Sequence, residues 1–467
     1  AVAERGLYAV GMLSYEAAPS FDPSLAVRAD GAFPLLWFGL FREPRRISLP
    51  EGCAEHAAAT AWCASMPPAD YRLAFDRIKR NIREGDAYQV NLTYRLCAAF
   101  KEDPYRTFVR LVTAHDATYG AMIATPGWSL CSASPELFFR LGGTLLESRP
   151  MKGTAARGLT PEADHAQADA LRASEKNRAE NLMIVDMVRN DLGRVAKAGS
   201  VVTPRLFTLE KYPTMWQLTS TVQAQTQASV AEIMAALFPA ASITGAPKNS
   251  AMRLIAEVES TPRRAYTGTI GFIAPGRRAQ FTVAIRTLLV DHAGGQAEYG
   301  VGGGIVWDSE CEQEQAECRT KALILNASAE PFALLETLLW TPEEGYALLD
   351  RHVARLNASA EYFGYAADRA ETRARLSELA GRLPQVPHRI RLLIAKDGGI
   401  TLQFAPIELA AGGPLVHVAF APRPVDKSDP FLYHKTTRRR VYEEALAARP
   451  GYGDVLLHNA QGEVTEA

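Results

Sequence analysis

The sequence has few cysteines, no excess of charge of either sign and no long apolar run. Its six cysteines are spread over 467 residues without a Cys-X-X-Cys pair, which argues against a disulfide scaffold or a zinc ribbon. Lys and Arg number 51 and Asp and Glu 52, so the basic excess typical of nucleic-acid-binding proteins is missing. Apolar stretches such as 34–41 are much shorter than a membrane span, and no signal-peptide pattern opens the chain. We therefore expect a cytoplasmic protein with reduced thiols and with neither a membrane nor a nucleic-acid partner.

The length and the pattern of the chain predict two α+β domains. At about 150 residues per domain, two to three domains are expected. The alternation of strands and helices restarts around NASAEPF at 326–332, which places a boundary near 329 and divides the chain into 1–328 and 329–467. Strands and helices follow one another in mixed order in both parts, which is typical of the α+β class. Because the chain begins with Ala and stops at GEVTEA, we expect both ends to be cut.

Periodicity predicts the elements around the most polar motifs. Apolar residues at helical spacing predict helices over 69–84 and 178–192, and helices are also expected over 229–238 and 310–325. Alternation predicts a strand over 87–100. The polar stretch 160–177 is predicted to be a loop that leads into the helix after it.

Two acidic helices are candidates for a metal site. Glu180 begins one helix face, and Glu314 and Glu317 share one face of a second helix at i and i+3. Carboxylates from two distant helices could meet at Mg²⁺, which prefers oxygen ligands. The alternative is ordinary solvated charge, and spacing alone does not decide between them.

Lys152 is a candidate nucleophile. It lies between Pro150 and Gly153 in RPMKGTAARG, which predicts a short constrained loop. A lysine amine attacks only when it is deprotonated, so its surroundings would have to favour the neutral form. Glu136, on a preceding strand, could pair with it. The alternative is a surface lysine in a turn.

Two glycine-containing motifs and one arginine are candidates for anion binding. Gly245 precedes a helix in SITGAPK, where backbone N–H groups could hold an anion. The glycines of VGGG at 301–304 would allow a ligand to approach a second stretch of backbone closely. Tight turns would explain both motifs equally. Arg286 lies within an apolar strand, where its guanidinium needs either a ligand carboxylate or a structural ion pair.

In the second domain, three residues fit pyridoxal phosphate chemistry. Lys435 could form the Schiff base, Glu466 could face the pyridinium nitrogen and Arg355 could meet the phosphate. Spacing alone does not distinguish this set from unrelated surface charges.

In combination, six segments resemble the chorismate-utilising enzyme family. They occur in the family's order: 85–95, 132–139, 149–158, 178–195, 242–248 and 302–317. The resemblance implies a two-sheet α+β sandwich with outer helices and the active site between the sheets. It also implies that the family's first strands precede residue 1.

Two positions favour the branch of this family that forms aminodeoxychorismate. Members that add water have a Lys where this chain has Gln89, and anthranilate-forming members have a small residue where it has Lys152. The resemblance implies that Lys152 attacks C2 of chorismate as the 4-hydroxyl leaves. Ammonia, supplied by a separate glutamine amidotransferase subunit, then adds at C4. The product is 4-amino-4-deoxychorismate, on the route to 4-aminobenzoate and folate.

The resemblance also implies roles for individual residues. Glu136 matches the acid/base carboxylate, and Glu180 and Glu317, with Glu314 nearby, match the Mg²⁺ ligands. Gln217 stands where many relatives carry a His tied to pyruvate elimination, which fits a product that keeps its enolpyruvyl group. The implied substrate contacts are Tyr266, Arg286, Thr244, Gly245, Gly302, Gly304 and Lys321.

From about residue 332, the chain resembles class IV pyridoxal phosphate enzymes that cleave aminodeoxychorismate to 4-aminobenzoate and pyruvate. Lys435 matches the residue that holds the cofactor, Glu466 the partner of its ring nitrogen and Arg355 its phosphate contact. The family's later phosphate-binding loops are expected after residue 467, so we expect tight cofactor binding only from the completed unit.

Two alternatives stay open. One is an anthranilate-type synthase of tryptophan biosynthesis with a degenerate second unit. The other is a non-catalytic chorismate-binding module. The identity of the product, or the absence of turnover, would separate them.

Overall fold

The computed structural model describes residues 2–31, 33–49, 60–326, 330–409 and 415–466. These form two compact units, the first built from Ala1–Ala155 and Ala170–Glu330 and the second from Ala156–Asp169 and Pro331–Ala467. The predicted boundary near 329 falls on 327–329, outside the described residues. The sequence analysis placed 156–169 in the first domain, whereas the structure groups this segment with the second unit.

In the described residues up to 326, helices flank two sheets. The helices are α1 (Val2–Arg5), α2 (Pro68–Glu84), α3 (Pro104–His115), α4 (Pro161–Ala173), α5 (Glu175–Gly193), α6 (Val230–Leu237), α7 (Lys248–Val258) and α8 (Cys311–Ala322). The strands are β1 (Tyr8–Leu13), β2 (Leu36–Phe41), β3 (Cys63–Ala64), β4 (Gln89–Ala99), β5 (Tyr119–Ala124), β6 (Trp128–Ser134), β7 (Leu137–Gly142), β8 (Leu145–Arg149), β9 (Met151–Ala156), β10 (Val202–Lys211), β11 (Met215–Gln225), β12 (Gly245–Ala246), β13 (Thr269–Ala274), β14 (Arg278–Val283), β15 (Thr287–Asp291) and β16 (Gln296–Ile305).

The two sheets of the first unit bring distant segments of the chain together. One sheet has the order β10-β11-β8-β7-β14-β13-β1-β2, with β9 also paired to β11. The other has the order β12-β4-β16-β15-β6-β5, with β3 also paired to β4. In the second sheet, β4 pairs antiparallel with β16 so that Gly302 lies opposite Thr93 and Gly304 opposite Asn91. This register fixes the position of the glycine-rich strand.

The helix α2 illustrates why the helical predictions succeed. Its residues Tyr71, Phe75 and Ile78 are buried at helical spacing, and Gly85 ends it with a left-handed φ of 84°. The helix predicted over 178–192 is also confirmed. As α5 it begins earlier, where the Ser174 side chain accepts a hydrogen bond from the Asn177 backbone N–H.

Two of the local predictions that were wrong concern the stretch 160–177 and Lys152. The stretch 160–177 was expected to be a loop, but α4 occupies much of it, because its five Ala residues and its Leu favour helix although Leu171 is its only large apolar residue. Lys152 was expected on a loop, but it lies on β9, which pairs with β11. The neighbouring strand overrides the turn tendency of Pro150 and Gly153.

From residue 331 onwards, a smaller α+β arrangement is described. Its strands are β17 (Leu334–Thr341), β18 (Gly345–Tyr346), β19 (His388–Ile394), β20 (Ile400–Pro406), β21 (Val418–Phe420), β22 (Asp454–His458) and β23 (Val464–Glu466). Its helices are α9 (Leu349–Phe363), α10 (Arg369–Ala380) and α11 (Arg440–Ala447). The sheets have the orders β18-β17-β19-β20 and β21-β22-β23, and Leu334, Leu338, Leu356 and Ile390 are buried in the core.

Two expectations from composition can be compared with this structure. The five cysteines that it describes are all free thiols. Within the same described residues, no helix is long and apolar enough to cross a membrane.

Candidate active site

Lys152 lies in a cavity of about 310 Å³ in the first unit, whose lining comes from both sheets and from α5 and α8. Its ammonium is close to the backbone of β16, since a Cβ atom added to Gly304 would lie 2.6 Å from Lys152 Nζ. Burial lowers the pKa of Lys152, while the nearby Glu180 carboxylate acts in the opposite direction. This favours the neutral amine that a nucleophile needs.

Glu136 lines the same cavity and is 3% exposed. It was expected on a strand, but it lies in the two-residue connection between β6 and β7. Burial raises its pKa to about 7, although the Ser242 hydroxyl and Lys152 oppose the shift. A carboxyl group with this pKa can both give and take a proton near neutral pH, which suits general acid/base chemistry.

Three more carboxylates predicted from the sequence line this cavity: Glu180 on α5, and Glu314 and Glu317 on α8. Burial raises the pKa of Glu180 and that of Glu314. In contrast, Lys321 lowers the pKa of Glu317, to whose Oε1 it donates a hydrogen bond of 2.7 Å.

The carboxylates fit a magnesium ion that takes further oxygen ligands from outside the protein. Among the described residues, no group of three or more His, Cys, Asp or Glu side chains is arranged to hold a metal by itself. Mg²⁺ commonly takes only one or two protein carboxylates and completes its shell with water and substrate oxygens. Burial disfavours the charged forms of Glu180 and Glu314, so a cation between them would stabilise both carboxylates.

The glycines of β16 bring its backbone against the acidic and basic side chains. A Cβ atom on Gly303 would lie 2.8 Å from Glu314 Oε2. Lys321 Nζ donates a hydrogen bond to the carbonyl of Gly302 over 2.8 Å. A side chain at Gly302 would collide with the neighbouring β4, and one at Gly303 would meet Glu314, so the sequence motif reflects close approach and not a tight turn.

Arg286 and Tyr266 also line the cavity. Arg286 was expected within a strand, but it lies in the bend between β14 and β15 with a φ of 51°. Arg286 Nη1 bonds to His115 Nδ1 over 3.1 Å, and its Nη2 lies 3.0 Å from Met215 Sδ. These neighbours are uncharged, because burial lowers the pKa of His115 to about 3. The guanidinium therefore keeps its charge for an anion in the cavity.

Thr244 and Gly245 do not line this cavity. Thr244 is fully buried, and its hydroxyl donates to the carbonyls of Ala240 and Ala241. A Cβ atom on Gly245 would lie only 2.2 Å from the carbonyl oxygen of Gln89. Both residues shape the wall behind the cavity, where Ser242 and Ile243 form its surface.

Two glutamines flank Lys152. Gln89 Nε2 would lie 3.0 Å from a Cβ atom on Gly304, and its buried Oε1 has no hydrogen-bond partner among the described residues. Gln217 Nε2 donates to the carbonyl of Gly153 over 2.8 Å, and its Oε1 accepts from Thr154 Oγ1 over 3.1 Å. Gln217 thereby fixes the strand that carries Lys152.

Sequence reasoning missed Asn181, which is 1% exposed. Its Nδ2 donates to the carbonyl of Lys152 over 3.2 Å, and its Oδ1 accepts from Ser220 Oγ over 2.6 Å. The available signal was its spacing from Ile184 and Val188, which places a polar side chain on the buried face of α5.

In the second unit, the three predicted residues are electrostatic neighbours. Burial lowers the pKa of Lys435, and Glu336, Arg355 and Glu466 all act on it. Arg355 makes two hydrogen bonds to the buried Glu336, of 2.7 and 2.6 Å, and Glu466 accepts one from the Tyr442 hydroxyl. The sequence analysis missed Glu336, although a carboxylate in an apolar strand is itself a signal.

This donor set fits a pyridoxal phosphate site in its chemistry. It combines a partly buried lysine amine, an arginine and a carboxylate, which are the groups used to hold the aldehyde carbon, the phosphate and the ring nitrogen.

Comparisons with known proteins agree with both units. The chorismate binding enzyme family matches residues 47–326, and the class IV amino-transferase family matches 333–467. Aminodeoxychorismate synthase component 1 of Salmonella typhimurium is 40% identical over 260 residues, covering 55% of this chain and 57% of that protein. An anthranilate synthase component 1 of Haloarcula marismortui is 40% identical over 250 residues, covering 53% and 51%. This chain therefore spans little more than half the length of these relatives.

Among solved structures, anthranilate synthase component I from Streptococcus pneumoniae TIGR4 has the same fold. It superposes with a TM-score of 0.61 at 23% identity, covering 70% of this chain and 82% of that one.

Proposed function

The chain belongs to the family of chorismate-binding enzymes, and we propose that its first unit converts chorismate and ammonia to 4-amino-4-deoxychorismate. The observation that carries the proposal is the position of Lys152 Nζ, inside a cavity with one buried acid/base carboxyl and three further carboxylates. The similarity to an aminodeoxychorismate synthase component supports the same product.

Lys152 acts as the nucleophile in this proposal. Its nitrogen bonds to C2 of the ring while the bond between C4 and the hydroxyl oxygen breaks. Protonated Glu136 supplies the proton with which the hydroxyl leaves as water. Ammonia then bonds to C4 as the bond between C2 and Lys152 breaks, and the Glu136 carboxylate takes the proton that ammonia loses.

The remaining side chains bind and orient the substrate. Arg286 and Tyr266 hold one carboxylate of chorismate, and the backbone of Gly302 and Gly304 lies along the ring. Glu180, Glu314 and Glu317 would hold Mg²⁺, with Lys321 fixing Glu317. When bound, Mg²⁺ neutralises a carboxylate of the substrate and orients it.

We further propose that ammonia comes from a separate amidotransferase subunit. The name of the Salmonella relative, a component 1, supports a second component in that enzyme. Free ammonium salts should replace this subunit in vitro.

The second unit is proposed to belong to a lyase that releases 4-aminobenzoate and pyruvate. Lys435, Arg355 and Glu466 would hold pyridoxal phosphate, which stabilises carbanion charge when it is bound. Tyr442 keeps the Glu466 carboxylate in place, and Glu336 does the same for Arg355.

Product analysis tests the synthase proposal. The chain is incubated with chorismate, Mg²⁺ and ammonium, with and without an active aminodeoxychorismate lyase, and products are identified by mass spectrometry. We expect aminodeoxychorismate, converted to 4-aminobenzoate by the added lyase. Lys152→Ala should abolish it, whereas Lys197→Ala, at an exposed position, should not.

A second candidate is anthranilate formation, which the similarity to the Haloarcula protein favours. Anthranilate has lost pyruvate, so the same analysis separates the two. Anthranilate as the main product would replace the proposed function.

A further inference from the structure

We propose that Cys63 and Cys97 form a site of reversible oxidation, at which a peroxide converts the two thiols to a disulfide that ties β3 to β4. Both thiols are free in the structure, and neither lines the active-site cavity. The proposal goes beyond the proposed function and does not depend on it, because the reaction uses neither thiol. It is carried by the register of the two strands and by the unequal exposure of the two cysteines.

The register of β3 and β4 places the two cysteines directly opposite each other. The strands pair antiparallel, with Cys63 opposite Cys97 and Ala64 opposite Leu96. Directly opposite residues of an antiparallel pair present their side chains on the same face of the sheet. The two thiols are therefore neighbours in space, although the whole of α2 lies between them in the chain.

The backbone hydrogen bonds indicate how far apart the two Cα atoms lie. The N–H of Ser65, just after β3, donates to the carbonyl of Arg95 over 2.7 Å, which makes these residues a hydrogen-bonded pair. Positions along an antiparallel ladder alternate, so Cys63 and Cys97, two residues further along, are a pair of the same kind, with Cα atoms about 5.5 Å apart. Disulfides span Cα separations of about 4.4 to 6.8 Å. The bond therefore fits the two strands as they stand.

The surroundings of the two thiols assign them different roles. Cys63 is exposed, whereas Cys97 is partly buried. Burial raises the pKa of Cys97, and the Glu298 carboxylate and the Cys63 thiol act in the same direction, which agrees with the register. Arg95 and Arg264 oppose this shift without reversing it. Because oxidants attack accessible thiols first, Cys63 reacts with the peroxide and Cys97 resolves the product.

Two steps account for all atoms and electrons. In the first, the Cys63 sulfur attacks one oxygen of hydrogen peroxide, the O–O bond breaks, and a sulfenic acid and one water form. In the second, the Cys97 sulfur attacks the Cys63 sulfur, the S–O bond breaks, and the hydroxyl leaves as water with the Cys97 proton. Two thiols are oxidised and one peroxide is reduced. An added dithiol reverses the reaction by exchange, since exposed disulfides are readily reduced.

The disulfide would join a short strand covalently to the sheet that carries part of the active site. β3 has two residues and pairs with β4, whose first residues include Asn91 of the cavity wall. The bond would close a loop that contains α2, and closing a long loop restricts the unfolded chain. We therefore expect oxidation to stabilise the first unit against unfolding.

Mass spectrometry of the full chain tests the proposal. The chain is reduced, freed of reductant and treated with hydrogen peroxide under native conditions. The remaining thiols are then alkylated, and a digest is mapped without reduction. We expect the peptides that contain Cys63 and Cys97 to appear joined, with the loss of two hydrogen atoms, and to separate again after treatment with dithiothreitol. The buried Cys131 should stay a free thiol.

Two variants distinguish a paired site from a single reactive surface thiol. In Cys97→Ser the resolving thiol is gone, so Cys63 should stop at the sulfenic acid, which dimedone labels. Wild type should carry at least about tenfold less of this label on Cys63. In Cys63→Ser, Cys97 should stay a thiol. Equal labelling of Cys63 in wild type and Cys97→Ser would overturn the proposal.

The identity of the bonded partner is a separate outcome of the mapping. Cys53 lies outside the described residues, so the mapping is repeated in Cys53→Ser, where the bond between Cys63 and Cys97 should persist. A bond from Cys63 to Cys53, or to Cys63 of a second chain, in place of the predicted one would overturn the proposal.

Calorimetry measures the effect of the bond on the first unit. Oxidised wild type should melt at least about 3 °C above the reduced protein, and Cys63→Ser given the same treatment should show no rise. An equal change in both proteins would show that β3 is not tied to the sheet by this bond, which would contradict the proposed effect.

Discussion

Asn181 donates a hydrogen bond from its side-chain amide to the main-chain carbonyl of Lys152 over 3.2 Å. The residue before it on α5 is Glu180, a proposed metal ligand in the same cavity. One turn of helix therefore positions both the proposed nucleophile and a carboxylate that faces it. Ser220, which donates to Asn181 Oδ1 over 2.6 Å, holds the amide in its orientation.

Removing this amide should slow the reaction more than it weakens binding. We expect Asn181→Ala to lower kcat by about 10- to 100-fold, with a small change in the KM for chorismate, because Lys152 is no longer held in its position relative to Glu180. It should also cost about 1–3 kcal/mol of stability, since buried partners lose their hydrogen bonds. Kinetics and denaturant unfolding measure both effects, with the exposed Asn249→Ala as control. A change in KM alone would contradict the positioning role.

A single methyl group on β16 should displace the proposed nucleophile. In Gly304→Ala the new Cβ would lie 2.6 Å from Lys152 Nζ, so the lysine has to move. We expect kcat to fall by about 100-fold, because a displacement of about 1 Å at the reacting atom can have that effect. Gly127→Ala is the control, since a Cβ there meets nothing within 4 Å. Equal activity of the two variants would show that Gly304 does not lie against the proposed nucleophile.

The pKa of Glu136 predicts a dependence of stability on pH. Burial raises this pKa from 4.5 to about 7, so the folded protein binds the proton more tightly than the unfolded chain does. The stabilisation is complete below the unfolded value of 4.5 and is lost as the pH rises through 7. The neutral Glu136→Gln should therefore gain up to about 3 kcal/mol relative to wild type across this interval.

Denaturant unfolding at a series of pH values measures this difference. Glu162→Gln is the control, because Glu162 is exposed and its pKa is lowered, chiefly by hydrogen bonds, instead of raised. A constant difference between Glu136→Gln and wild type from pH 4 to 8 would show that the Glu136 pKa is not raised.

The segment 156–169 should be needed for the stability of the second unit. Arg157 makes hydrogen bonds of 2.7 and 2.8 Å to Asp164, and it also donates to the carbonyl of Tyr362 on α9 over 2.9 Å. The side chains of Arg157 and Asp164 are 6% and 5% exposed. Arg157→Ala leaves Asp164 buried without this partner, which costs about 3–5 kcal/mol in comparable pairs.

Calorimetry should show this loss as a lower melting temperature for the transition of the second unit. Arg189→Ala breaks an exposed pair with Asp186 and should change stability by less than about 1 kcal/mol. If Arg157→Ala lowered the melting temperature no more than Arg189→Ala does, residues 156–169 would not contribute to the stability of the second unit.

Most of the residues singled out from the sequence line one cavity, whereas several of their local structures were predicted wrongly. Helical spacing correctly identified α5, which carries Glu180, and the helix expected over 310–325 is confirmed as α8, which carries Glu314 and Glu317. Lys152 was assigned to a loop, because pairing with β11 is a long-range contact that local turn signals do not contain.

The contributions of Asn181 and Glu336 were missed for a different reason, because the sequence signals that each is buried but not which partner it meets. Each is a polar residue whose role depends on the element that packs against it, such as β9 against α5 for Asn181. Thr244 and Gly245 were expected to contact the substrate because they lie in a motif of the family. They lie behind the cavity wall instead and do not face the cavity.

The most direct test of the account is whether Lys152 becomes covalently attached to the substrate. The chain is mixed with chorismate and Mg²⁺ in the absence of ammonia, quenched with acid, digested and mapped by mass spectrometry. The account predicts an adduct of chorismate less one water on the peptide that contains Lys152, which disappears when ammonium is added before the quench. Rapid formation of aminodeoxychorismate by Lys152→Ala, together with no adduct in wild type, would contradict it.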